Sequence, residues 1–365
     1  MQDSLFPPDD GEEHDDEPTP SSPSAPPEPG DAAAVPIPRA KRGAEVVAAA
    51  QAPDVHALAA AMPPRLRLGT SSWNYPGWAG MVWDAVYPES VLSKRGIGAY
   101  AEHPLFHTVS LDRAFYRALT ASQFADMAAR VPAGFRFVVK APAMVTDALV
   151  RAEDGRGMQA NPGFLSAELA VQEFVLPALE GLGDRLGALV FQLSPLPLRM
   201  LDTLPTVLEK LRAMLSALPA LRPTAPDAVV AVEVRDPEWI GPVHGPAFVQ
   251  VLRETGATFC LGLHAKMPEI ARQLHMLRAL WPGPLVCRWN LNRLHGGYGY
   301  EDAEKRYQPF DRMVDPDPET RAALAKVAVA TARAGHPVYV TVSNKAEGSA
   351  PRTVQLLAEE IRSRS

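Results

Sequence analysis

The chain has very little cysteine. Cys260 and Cys287 are the only two in 365 residues, which excludes a disulfide scaffold, and neither stands in a metal-binding spacing. Both fall inside predicted strands, where a thiol serves as a small buried apolar side chain. No run of eighteen apolar residues occurs, and no charged segment followed by an apolar one opens the chain. The expectation is a cytoplasmic protein without membrane contact. His264, His295, Asp112 and Glu233 form no close-spaced ligand set, so neither a metal nor a cofactor is expected. The glycines of Gly296-Gly297-Tyr298-Gly299-Tyr300 lack the strand-loop-helix spacing and lysine of a phosphate-cradling loop, and read as a mobile loop or lid.

Charge is unevenly spread. Residues 1–63 carry twelve acidic side chains against Arg39, Lys41 and Arg42, a local −9 within a total of −6, which leaves +3 for the remainder. The acidic front and the Pro/Ser run to Pro38 have too little apolar surface to offset the entropy of ordering them. Residues 1–63 therefore read as a disordered tail whose partner is unknown. Its Ala-rich part, Gly43 to Met62, reads as a linker confined by Pro53, Pro63 and Pro64. A core charge of +3 argues against a broad nucleic-acid surface.

What the chain does have is rhythm. Eight short apolar runs begin at Arg65, Phe106, Phe135, Leu186, Val229, Thr258, Leu285 and Pro337, each followed by a helix-like stretch. Strand then helix, eight times, predicts an α/β fold, a closed (β/α)8 TIM-type barrel over residues 64–365. Such barrels carry their chemistry at the C-terminal strand ends, where this sequence turns from apolar to polar residues. The loop from Thr146 to Gly163 is long and polar, as expected over a site.

The period of two places Glu233 and Arg235 on one face of strand five, opposite Val232 and Val234. Charges facing a barrel interior must be paired or meet a ligand. Glu233 is a candidate general acid or base, and equally a structural partner of Arg235. Lys140 ends strand three; a lysine there can form a Schiff base if its pKa falls, although pairing with a carboxylate such as Glu233 is the favoured role. Glycosidase-like carboxylate pairing would need a second acid, for which Asp112, Asp236 and Glu347 are available. Arg117, Lys140, Arg235, Lys266, Arg288 and Lys345 outnumber the acids near the expected mouth, which favours an anionic ligand. Three of six tryptophans fall between Trp73 and Trp83; with Tyr75 and Phe115 they either stack on a ligand or, the favoured reading, cap the barrel.

Several of these runs recur in a known family. Gly69-Thr70-Ser71-Ser72-Trp73-x-Tyr75-x-x-Trp78, Phe115-Tyr116-Arg117, Phe137-x-x-Lys140, Val232-Glu233-Val234-Arg235-x-x-x-Trp239 and Asn344-Lys345-x-x-Gly348-x-Ala350 stand in the same order. In these the chain resembles the DUF72 family, also called YecE-like, over nearly all of residues 65–362. The resemblance implies a TIM-type barrel and no assigned reaction. It departs at strand two, where members commonly read Val-Glu-x-Asn-x-Thr-Phe-Tyr and this chain reads Val109-Ser110-Leu111-Asp112-Arg113-Ala114-Phe115-Tyr116. His295-Gly296-Gly297 and Ser343-Asn344 are further departures.

Together these readings predict an enzyme, a hydrolase or lyase acting on a small anionic or sugar-like substrate. Glu233 and Lys140 are the catalytic candidates. Arg235, Arg288, Asn344, Asp112, Tyr116 and Trp73 are the substrate-binding ones. The alternative is a noncatalytic module that captures a metabolite or nucleic acid at the same ring, with the acidic tail regulating access or recruiting a partner.

Overall fold

Alternation of small and β-branched residues, closed on itself, is what the eight runs build. A computed structural model describes residues 37–41, 43–151 and 158–365. Eight strands, β1 (Leu66–Thr70), β2 (Phe106–Leu111), β3 (Arg136–Lys140), β4 (Leu186–Gln192), β5 (Val229–Glu233), β6 (Thr258–Leu263), β7 (Leu285–Trp289) and β8 (Val338–Val342), pair in parallel as a closed barrel in chain order. Each predicted run contains one strand.

The outward faces of the strands pack under the helices, and the inward faces fill the barrel. Val138, Ala188, Val190, Ala231, Cys260, Val286 and Tyr339 form that inner cluster. Tyr339 closes the N-terminal end, lying where a Cβ on Gly187 would stand 2.7 Å from its ring, so only glycine fits there. Cys260 belongs to the inner cluster and Cys287 to the outer core, so the two thiols lie on opposite faces of neighbouring strands and both are free.

Helix termini follow local chemistry. The Thr120 side chain accepts from Gln123 N while the Gln123 side chain accepts from Thr120 N, a reciprocal cap for helix Ala121–Ala128. The helical stretch between β3 and β4 widens to a π turn at Val171–Val175. The long loop after β3 contains a short antiparallel hairpin, Leu149–Arg151 with Met158–Ala160.

The front part differs from expectation. Residues 1–36, most of the expected tail, lie outside the described residues. The expected linker is packed structure: Ala49 N donates to Val82 O and Gln51 Nε2 donates to Met81 O, and ahead of it Ala40 N donates to Val86 O. Helix Pro53–Ala60 buries Val55 and Leu58, and Val46 is buried ahead of it. Averaging composition over 63 residues hid this, because the acidic front dominates the mean while Gly43–Met62 holds enough Ala, Val and Leu to bury. No helix among the described residues is long and apolar enough to cross a membrane.

Candidate active site at the C-terminal mouth

The face that carries Val138, Val190, Ala231 and Val286 inside the barrel continues, two residues on, into Lys140, Gln192, Glu233 and Arg288. The polar ring is thus the last layer of the barrel interior. Gln192 and Glu233 are register partners, as are Gly262 and Arg288.

Glu233 is fully buried and both its oxygens are occupied. Oε1 is ion-paired with Arg235 Nη2 at 2.6 Å and accepts from Asn290 Nδ2 at 3.2 Å, while Oε2 accepts from Arg288 Nη1 at 2.6 Å. Gln192 Oε1 accepts from both arginines at 2.9 Å. Arg288 turns its other nitrogen to Asp112, with Nη2 at 2.8 and 2.7 Å from the two carboxylate oxygens. Burial alone would raise the Glu233 pKa, but the Arg235 and Arg288 guanidiniums hold it below the usual carboxylate range. Asp112 is likewise held low against the push of burial, by Arg288, Lys140 and the Ser110 hydroxyl that donates to it at 2.6 Å. Fixed as anions, these two carboxylates orient cations and are poor proton donors.

Lys140 behaves differently. It is buried, and among the described residues no carboxylate lies within salt-bridge distance, so the expected pairing with Glu233 is not formed. Its ammonium stands 3.5 Å from the centroid of the Phe115 ring. Burial, then the Arg288 charge, lowers its pKa to about 8, against smaller opposing pulls from Asp112 and Glu233. Contact with the ring face favours the charged form by about 2 kcal/mol when desolvated, and burial beside a guanidinium outweighs it.

Above this layer opens a cleft of about 690 Å³ lined by Lys140, Arg235, Arg288, Asp112, Lys266 and Ser194, with others around them. His264, its pKa lowered to about 3 by burial and then by Arg235, is neutral there. Arg235 and Arg288 are matched by Glu233 and Asp112, and Lys345 is tied to Glu304 at 3.0 Å. Lys140 and Lys266 add positive charge with no described carboxylate within salt-bridge distance. Lys266 lies 3.8 Å from the Tyr298 ring centroid, on the loop expected to act as a lid. An apolar groove beside Leu277 and Trp281 includes the first residues of β6 and β7 and so belongs to the opposite end of the barrel.

Of the expected site residues, the structure brings together Glu233, Lys140, Arg235, Arg288 and Asp112, with Tyr116 exposed on the rim. Two lie elsewhere. Trp73 is buried, donates from Nε1 to Leu92 O at 3.0 Å and stacks under Arg113, away from the cleft. Asn344 is buried and accepts through Oδ1 from Trp78 Nε1 at 3.1 Å and Ala350 N at 2.8 Å, a joint between the β1 loop and the C-terminal helix. Trp78 is in the core, whereas Tyr75 and Phe115 line the cleft, so the aromatic group divides between capping and lining. Gln192 and Asn290 were legible as interior-face positions; Ser194 and Asp147 carried no signal, because they meet only through loops.

The family model described as "Protein of unknown function DUF72" matches residues 67–365. The chain belongs to the DUF72 family. Two solved DUF72 family structures share the fold: one from Enterococcus faecalis at 18% identity and TM-score 0.51, covering 81% of this chain and 95% of that one, and one from Thermotoga maritima at 20% identity and TM-score 0.51, covering 80% and 98%. No curated protein matches the chain. Within this DUF72 barrel the departure at strand two has a physical counterpart. Ser110 and Asp112 share one face, and the carboxylate that reaches Arg288 comes from Asp112, one pleat nearer the mouth.

Proposed function

We propose that this DUF72 barrel is an enzyme acting on a small anionic compound held in the C-terminal cleft, with Lys140 as the reacting group. The observation that carries the reading is the unpaired, buried amine of Lys140 beside a cleft whose charge balance is positive. Glu233, fully enclosed by Arg235, Arg288 and Asn290, fits a positioning role instead of proton transfer, since no substrate atom can reach it without breaking those bonds. Arg235 then presents its remaining edge to the ligand as a preorganised cation. Hydrolysis of a glycoside by a carboxyl pair is disfavoured, because Asp112 is clamped as an anion by Arg288. A lyase-type reaction at Lys140 is favoured.

The test is a ligand panel read by thermal shift and calorimetry. Inorganic phosphate and dicarboxylates are expected to raise the melting temperature, neutral sugars to leave it unchanged, and Lys140→Met with Lys266→Met to abolish the anion effect. Equal or better binding of the neutral sugars would remove the basis of the proposal.

A further inference from the structure

Beside Lys140 stands a pair that the anion cleft itself does not require. Ser194, two residues beyond β4, lines the cleft together with Lys140, and its hydroxyl donates to Asp147 Oδ1 at 2.5 Å. Asp147 follows the short helix Ala143–Thr146 after β3 and is half-buried. Its backbone is fixed: Asn161 Nδ2 donates to Asp147 O at 2.7 Å, and Asp147 N donates to Ala143 O at 2.9 Å. Ser194 N donates to Thr146 O at 3.4 Å, so the loops after β3 and β4 are joined at this point. Among the described residues no cation lies within salt-bridge distance of the Asp147 carboxyl. It is thus unlike Glu233 and Asp112, each clamped by guanidinium.

Resting on the reading of Lys140 as the reacting group, we infer that the cleft forms an imine between the Lys140 amine and a small carbonyl compound bearing a carboxylate or phosphate, with Ser194 and Asp147 relaying the proton. Lys140 Nζ adds its electron pair to the carbonyl carbon while the C=O π pair moves onto oxygen. The nitrogen gives up one proton and the oxygen gains one, forming the carbinolamine. The C–O bond then breaks as the nitrogen pair forms C=N, and the departing hydroxyl takes a second proton from Asp147 through Ser194, leaving as water. The products are an iminium and one water, with Asp147 left as carboxylate, and no oxidant or reductant takes part. Hydrolysis returns the proton. Burial, opposed in part by the Ser194 hydroxyl and the Lys140 charge, raises the Asp147 pKa, in keeping with a carboxyl that exchanges protons. Lys140 is the catalytic residue here, Ser194 faces the same space, and Asp147 is a positioning residue that acts through Ser194.

Reductive trapping tests this on the full chain. Pyruvate and dihydroxyacetone phosphate are added with cyanoborohydride, and the labelled peptide is mapped by mass. The expected result is saturable labelling of Lys140 in at least one of the two, about tenfold or more faster than at exposed Lys94 and Lys210. Lys140→Arg should lose it. Asp147→Asn and Ser194→Ala should slow it about tenfold, and Asp147→Asn should also remove the high-pH limb of its rate profile, on which the rate falls as this carboxyl loses its proton, while leaving the melting temperature in place. Binding of both anions without label at Lys140 overturns the imine and leaves the anion cleft standing. Failure of both anions to bind overturns the cleft reading and the imine with it. An unchanged pH profile in Asp147→Asn overturns the relay.

Discussion

Glu233 Oε2 and Arg288 Nη1 lie 2.6 Å apart at the floor of the cleft, with neither group exposed to solvent. Arg235 shares the same carboxylate and Asp112 the same guanidinium, so one buried anion fixes the geometry of both arginines. Removing one member of such a network leaves a buried charge unanswered. Glu233→Gln is therefore expected to lower the unfolding free energy by about 3–5 kcal/mol and to weaken anion binding as the guanidiniums move apart. Denaturant titration alongside calorimetry checks both. A loss under about 1 kcal/mol would mean that the network is solvated and the floor open.

Lys140 should work against the fold at neutral pH. Its folded pKa, about 8, lies below the value of a free lysine, so the unfolded chain binds the extra proton between the two. Stability attributable to this group is lowest below pH 8, rises between pH 8 and about 10.4, and levels off above. Lys140→Met is expected to raise the melting temperature at pH 7, the gain shrinking across that window. A melting temperature equal to the wild type at pH 7 contradicts the depressed pKa.

Asn344 is expected to matter for stability and not for ligand. Its Oδ1 satisfies two buried donors, Trp78 Nε1 and Ala350 N, and Asn344→Ala leaves both without a partner. The loss should be about 1–3 kcal/mol. Anion affinity in the same variant should stay within about twofold of wild type, a change under 1 kcal/mol. A large affinity loss without destabilisation would return Asn344 to the list of substrate contacts.

Gly262 gives Glu233 its room. A Cβ there would stand 3.1 Å from both Cγ and Oε1 of a side chain held by two arginines, and that side chain has nowhere to retreat. Gly262→Ala is expected to destabilise by about 1–3 kcal/mol and to weaken anion binding, measured by thermal melts and calorimetry. A stabilised variant with full affinity would show that Glu233 is free to shift.

The strand rhythm settled the barrel, because hydrophobic periodicity is local and eight repeats admit few other closures. The same period put Glu233 with Arg235 on one face before any fold was known. Composition misjudged residues 37–63: whether an Ala-rich stretch packs depends on the surface it meets, here the Met81–Val86 segment. Motif resemblance could not separate Asn344 and Trp73 from true cleft residues, since a side chain at a strand end can turn toward the barrel axis or into the helices. Periodicity belongs to the chain, and this sequence determined from it which residues reach the inner face of the strands. Only ring closure decided that Arg288 answers both Glu233 and Asp112, that Lys140 is left without a carboxylate, and that Ser194 meets Asp147. Those contacts join residues as far as 176 positions apart, and their distances are set by packing that no local pattern records.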